Sequence, residues 1–293
     1  MVGLETPGAS SIRGMPTTVT LPNGTTTPRL GQGTWLMGED PARRESEIDA
    51  LRHGLDLGLT LVDTAEMYGG GLAEQLVGEA ISGRRDEVFL VSKVLPSNAS
   101  RTGTIEACHA SLDRLGTDRL DLYLLHWRGA YPLQETVAGL EELVQEGSIL
   151  GWGVSNFDVA DLAELEGLSG GSNLQTNQVL FNLARRGPEF DLLPRQRASS
   201  IPLMAYSPVD HGELLDDTTL DEIAEDKGVT PAQLALAWVL QALPDGLVVV
   251  KASTRAHVEQ NAAARDVTFT EAERDLLDEA FPAPTRATPL EML

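Results

Sequence analysis

The sequence predicts an α/β fold closed into a (β/α)8 TIM barrel, with an N-terminal β-hairpin at the barrel floor. Three observations carry that prediction. Eight short apolar runs alternate with amphipathic helical segments from Arg29 almost to the chain end. Several of those runs are continuously hydrophobic, as parallel strands covered on both faces are. Eight such units in a chain of 293 residues suit the roughly 250 residues of a typical barrel. The rival, an open doubly wound sheet, would carry a full G-x-G-x-x-G turn. The stretch GQGTWL has its first two glycines and lacks the third.

Ahead of the barrel, TTVTLPNGTTTPRL sets Asn23-Gly24 between Thr/Val-rich arms, a hairpin signal. The eight strand-like runs are 29–35, 59–63, 88–93, 120–126, 151–156, 174–179, 202–207 and 247–251. Between the first two, Ile48, Leu51 and Leu55 share one helical face. After the third run, Ile105, Cys108, Leu112 and Leu115 do the same, and Gly116 stops that helix. Before the last run, Thr230 caps a helix that has Pro231 at its first position. Residues 1–16 are rich in small side chains and lack an apolar signal core, so a flexible tail is expected there. Residues 17–293 then form a single catalytic barrel domain.

Composition narrows the partners. The formal charge is −22, which repels phosphate backbones and argues against nucleic-acid binding. No apolar run reaches the ~18 residues of a membrane helix, so no membrane partner is expected. Cys108 is the only cysteine, which precludes an intramolecular disulfide and fits a cytoplasmic protein. No HExxH or CxxC pattern marks a metal site, and no G-x-S-x-G marks a serine nucleophile. Lysine occurs only at positions 93, 227 and 251. An arginine-favouring genome explains that scarcity; adaptation to high salt is the sharper reading.

The chemistry sits at strand ends, on the rim where barrels of this kind place catalytic groups. Asp63 ends the second run, Lys93 the third and His126 the fourth. Each lies about one βα unit, ~30 residues, from the next, so the three face one another across the rim. Tyr68, in the loop after Asp63, leans over the same spot. These four residues make a proton donor. A tyrosine, with a pKa near ~10, is a weak acid at neutrality. A lysine ammonium beside it is expected to lower that value, and Asp63 is expected to keep the buried lysine charged. His126 orients the substrate oxygen or shares in the proton transfer.

The stretches LVDTAEMYGG, VFLVSK, LDLYLLHW, GWGVSNF, TNQV, AYSP and the region after VVVKAS follow in order between Arg29 and Pro282. Together they resemble the aldo-keto reductase family. The resemblance implies NADPH-linked interconversion of carbonyls and alcohols, with NADH as the alternative cofactor. It makes Asp63, Tyr68, Lys93 and His126 the catalytic tetrad. In relatives that reduce carbon–carbon double bonds a glutamate can replace this histidine, so His126 favours carbonyl reduction. Ser155, Asn156 and Gln178 are implied holders of the nicotinamide carboxamide, and Tyr206 the face its ring stacks on. Thr34 and Ser207 join them as cofactor contacts, while Lys251, Ser253 and Asn261 serve the adenosine end. Many members have serine where Ala252 stands and arginine where His257 aligns; Arg255 is the neighbour expected to compensate. Trp35, Trp127 and Phe157 are expected to line the substrate pocket. The short loop WRGAYPLQ and the short tail PAPTRATPLEML imply an open site for small aldehydes, α-oxo-aldehydes or sugar-derived carbonyls. A monomer or weak oligomer is expected. Two other readings compete: a nicotinamide-binding regulatory subunit of a channel with little turnover, and a barrel isomerase or lyase using Lys93 as a Schiff base.

Taken singly, these residues have plainer readings. Asp63 could cap a helix and Lys93 be a surface charge; their order on consecutive strand ends favours the tetrad. His53, His109 and His211 read as incidental polar positions, Cys108 as inert core, and Trp152 and Trp238 as packing.

Overall fold

The computed structural model describes residues 16–293. Apart from Pro16, the expected flexible tail lies outside the described residues. Two short strands, β1 (Thr18–Thr20) and β2 (Thr26–Pro28), pair antiparallel as a hairpin. Eight parallel strands then close into a barrel: β3 (Leu30–Gly33), β4 (Leu61–Asp63), β5 (Phe89–Val94), β6 (Leu122–Leu125), β7 (Trp152–Ser155), β8 (Leu174–Leu180), β9 (Leu203–Tyr206) and β10 (Leu247–Lys251), with β10 returning to β3. Each of the eight apolar runs yields one of them.

The hairpin is the floor. Val19 and Leu21 join Leu61, Phe89, Leu122, Met204 and Leu247 in one buried cluster inside the barrel. Asn23, at the turn, donates its backbone N–H to Gln175 Oε1 at 2.8 Å, beside the start of β8. The lower interior is therefore apolar and plugged, and the polar side chains are left to the opposite, C-terminal rim.

Helices sheathe the strands: α1 (Arg44–Asp56), α2 (Leu72–Ile81), α3 (Arg101–Leu115), α4 (Leu133–Glu146), α5 (Val159–Glu166) and α6 (Leu192–Ala198) each follow one strand. Two helices, α7 (Thr218–Lys227) and α8 (Pro231–Ala242), separate β9 from β10, and α9 (Arg255–Ala263) and α10 (Glu271–Ala280) follow β10. Local chemistry sets their ends as the sequence suggests. Thr230 caps α8 in a reciprocal box with Gln233. Gly116 ends α3 at φ 61°, the left-handed conformation that glycine adopts most readily. Because successive strand residues point to opposite faces, β5 sends Ser92 outward to the helices and Lys93 into the barrel, with both fully buried.

Candidate active site

Each strand from β4 to β10 brings a polar or aromatic side chain to the same rim, at its last residue or within two residues of it: Asp63, Lys93, His126, Ser155, Gln178, Tyr206 and Lys251. Lys93 is the centre. It is wholly buried, and its ammonium donates to Asp63 Oδ2 at 2.8 Å, the Thr64 carbonyl at 2.8 Å and Tyr68 Oη at 3.1 Å. An ammonium has three N–H donors, and all three are used. Burial pulls the Lys93 pKa down, but Asp63 and then Tyr68 pull harder, and the net direction is up. The lysine stays charged inside the protein.

Tyr68 departs from expectation. Its pKa is raised, because loss of water around the phenol outweighs the downward pull of Lys93, and Asp63 adds to the rise. The ammonium limits the upward shift and does not reverse it. The phenol is therefore fully protonated at neutral pH.

The backbone that carries Tyr68 is unusual. A 3-10 turn, Tyr68–Gly71, leads into α2, with Gly69, Gly70 and Gly71 at φ 56°, 63° and 94°. Three left-handed residues in a row require glycine or accept strain. A Cβ on Gly71 would also lie 2.6 Å from Arg114 Cδ. Arg114 is held there by Glu74, whose other oxygen accepts from Ser92 Oγ, both at 2.6 Å. This trio, with Glu74 and Ser92 buried and Arg114 half-buried, ties the glycine turn to the strand that carries Lys93. Sequence reasoning missed it, since a Glu, an Arg and a Ser on three separate elements leave no local pattern.

His126 is buried, with Nδ1 unpartnered in the interior. Burial first and Lys93 second push its pKa down to about 2, so the imidazole is neutral. Its carbonyl accepts from Asn156 Nδ2 at 3.1 Å, and Asn156 Oδ1 accepts from Tyr206 Oη at 3.1 Å. Trp35, Tyr68, His126 and Trp127 form a row of rings, with successive centroids 5.0, 5.8 and 5.0 Å apart. Trp35 and Trp127 thus flank the tetrad, and Trp35 is exposed.

Two expected contacts are side chains enclosed in the interior. Phe157 is fully buried in the core between barrel and helices, its backbone bonded to the Asn177 amide. Asn156 at φ 58° turns the chain, and the next side chain goes inward. Thr34 is fully buried, and its hydroxyl donates to the Asp63 carbonyl at 3.0 Å, joining β3 to β4.

On the same rim, Lys251 closes β10 beside the N-terminus of α9, which Thr254 caps. Ser253 lies between them, His257 is exposed on α9, and Asn261 is buried on the same helix. Lys93 and Lys227 form ion pairs with Asp63 and Glu273. Lys251 has no carboxylate within ion-pair distance among the described residues; partial desolvation lowers its pKa against the pull of Glu47. Arg255, the expected compensating cation, is held by Asp49 of α1 through two contacts of 2.5 Å. Ser207, at φ 49°, starts a loop in which Asp210 and His211 also have positive φ, and Asn182 Nδ2 anchors the Ser207 carbonyl at 2.9 Å.

Of the residues set aside as incidental or packing, His53 and His109 pair with surface glutamates. Cys108 is fully buried, its thiol pushed up to about 12 by burial. Trp152 and Trp238 are buried.

Comparison with known proteins adds an independent line. The family model described as Aldo/keto reductase family matches residues 29–281. The chain is 51% identical over 272 residues to methylglyoxal reductase YeaE of Escherichia coli (strain K12), covering 91% of this chain and 95% of that protein. It is 34% identical over 266 residues to glyoxal reductase of Bacillus subtilis (strain 168), covering 89% and 91%. Among solved structures, an aldo-keto reductase from Klebsiella pneumoniae in complex with NADPH superposes with a TM-score of 0.91 at 48% identity, covering 94% of this chain and 99% of that one.

Proposed function

The chain belongs to the aldo/keto reductase family, and on that premise we propose that it reduces small α-oxo-aldehydes to alcohols with Tyr68 as proton donor. It is an NADPH-dependent oxidoreductase of carbonyl compounds. The relatives named for methylglyoxal and glyoxal suggest the substrate class. The observation that carries the catalytic reading is the Lys93 ammonium, held 2.8 Å from Asp63 and 3.1 Å from the Tyr68 hydroxyl in a buried site.

The side chains along the rim suit a dinucleotide. At one end the uncompensated Lys251 and the N-terminus of α9 offer positive potential to phosphate groups. At the other, Ser155, Asn156 and Gln178 present amide and hydroxyl groups beside the half-buried Tyr206 ring, which fit a carboxamide on an aromatic ring. Bound NADPH supplies the hydride. The protein does the rest. Tyr68 gives its proton to the carbonyl oxygen as negative charge develops there, and that oxygen is a far stronger base than phenolate. A phenol with a raised pKa therefore still transfers its proton, and Lys93 stabilises the phenolate left behind. His126, neutral at any working pH, donates a ring N–H to the same oxygen. Trp35 and Trp127 form the walls that position a small substrate.

The same reading places the enzyme in the cytoplasm, as a monomer or weak oligomer, with an acidic surface that excludes nucleic acid. NADPH oxidation with methylglyoxal, glyoxal and larger aldehydes tests the substrate class. Tyr68→Phe is expected to lower turnover at least ~100-fold, the low end for loss of a general acid, with NADPH affinity retained. Unchanged turnover would assign the proton to another group, and selectivity for one bulky carbonyl would overturn the substrate class.

A further inference from the structure

Gln178 does something that a cofactor contact alone does not require. Its Nε2 donates to Asp63 Oδ1 at 2.8 Å and lies 2.8 Å from Met204 Sδ. Asp63 and Gln178 are 115 residues apart in the chain and meet only because the barrel closes. The amide orientation follows from charge: a carboxylate accepts from N–H and repels C=O. Asp63 is thus gripped on both oxygens, by Gln178 on Oδ1 and by Lys93 on Oδ2.

We infer that Gln178 is a positioning residue of the proton donor, joining the cofactor seat to the acid through the hydrogen-bonded chain Gln178–Asp63–Lys93–Tyr68. The inference rests on the reading of Tyr68 as that acid. Two consequences follow from the chemistry. With both N–H groups engaged, Oε1 alone remains for a ligand, so Gln178 meets a bound carboxamide as an acceptor of its NH2 group. A donor arriving at Oε1 polarises the amide and strengthens its N–H bond to Asp63, so a filled seat steadies the carboxylate that holds Lys93.

The energetic direction is set by Asp63. Its negative charge pushes the Tyr68 pKa up. A donor on Oδ1 draws off part of that charge, and removing the donor leaves the phenol a poorer acid. The other titratable groups around this cluster are His126 at the end of β6, Tyr206 at the end of β9, Glu66 in the loop after β4 and Glu39 beside Gly69. His126 titrates at about 2 and Tyr206 at about 12, outside the range of interest. Glu66 is occupied by the Leu95 N–H and the Asn98 amide.

Two variants test this. Gln178→Met keeps the bulk and removes both donors. At saturating NADPH its kcat is expected to fall at least ~10-fold. Tyr68, read by ¹³Cζ-tyrosine NMR and assigned by its absence in Tyr68→Phe, is expected to titrate higher than in the wild type. Gln178→Glu keeps an oxygen for the carboxamide but faces Asp63 with a second carboxyl. The pair then shares one proton and loses it as pH rises. Its kcat is expected to be highest on the acidic side and to fall at least ~10-fold through a new limb toward neutral pH. This second variant decides the matter even if the first does not fold. A wild-type pH profile in Gln178→Glu, with only the KM for NADPH changed, would overturn the inference and leave Gln178 a cofactor contact. Tyr68→Phe with full turnover would instead remove the reading of the acid itself, so the two failures are separable.

Discussion

His126 shows how one side chain records its surroundings. Exposed in the unfolded chain, it binds a proton near 6.5; folded, it resists protonation until about 2. Between those values the unfolded state holds the extra proton. The stabilising contribution is therefore complete above 6.5 and is lost as pH falls below it, by up to about 1.4 kcal/mol per unit. Urea unfolding at pH 7 and pH 5 should show wild type losing about 2 kcal/mol more than His126→Gln over that interval. Equal losses would mean that water reaches the ring. At this scale the sequence was legible for residue type and for position at a strand end: Asp63, Lys93 and His126 stand where the rim needs them. It was not legible for direction. Phe157 and Thr34 occupy equally suggestive positions, yet both side chains turn into the interior. Nor was the sign of the Tyr68 shift legible, because it depends on how completely water is excluded and not on the presence of Lys93 alone.

The elements are placed by packing that a hydrophobic pattern specifies only in outline. All eight strands and the hairpin were readable, since continuous apolar runs and an Asn-Gly turn are local signals. The distance between helices is not local. In α2, a Cβ on Gly78 would stand 2.4 Å from the Leu115 carbonyl oxygen at the end of α3. A glycine that looks like a weakness inside a helix is what lets α2 and α3 meet, and with them the Glu74–Arg114 pair beneath the Tyr68 turn. Gly78→Ala improves intrinsic helix propensity by about 1 kcal/mol. The overpacking is against backbone, which cannot yield, and is expected to outweigh that gain at about 1–3 kcal/mol. Thermal or urea unfolding should show a net loss, with turnover falling alongside as the glycine turn shifts. A variant as stable as wild type would mean that α2 can move off α3 freely.

Across the whole molecule the governing quantity is charge, −22 at neutral pH. Many arginines are already paired on the surface, as Arg84 is with Asp56 and Glu87, so the remaining excess is acidic and self-repelling. Salt screens that repulsion. The melting temperature should rise steadily from low to molar KCl, and a flat or falling response would remove the salt-adaptation reading. By itself the sequence determined the barrel, its floor, the strand-end residues and the family, because apolar periodicity, turn chemistry and short motifs act within a few residues of chain. Tertiary structure alone decided which of those residues touch. Gln178 on Asp63, Arg114 beneath Gly71 and Arg255 on Asp49 are contacts between distant parts of the chain. They also decided how dry the site is. The proton kept on Tyr68 and the neutrality of His126 follow from that dryness, and Lys93 stays charged against it through Asp63 and Tyr68; desolvation is a property of the closed barrel and of no segment within it.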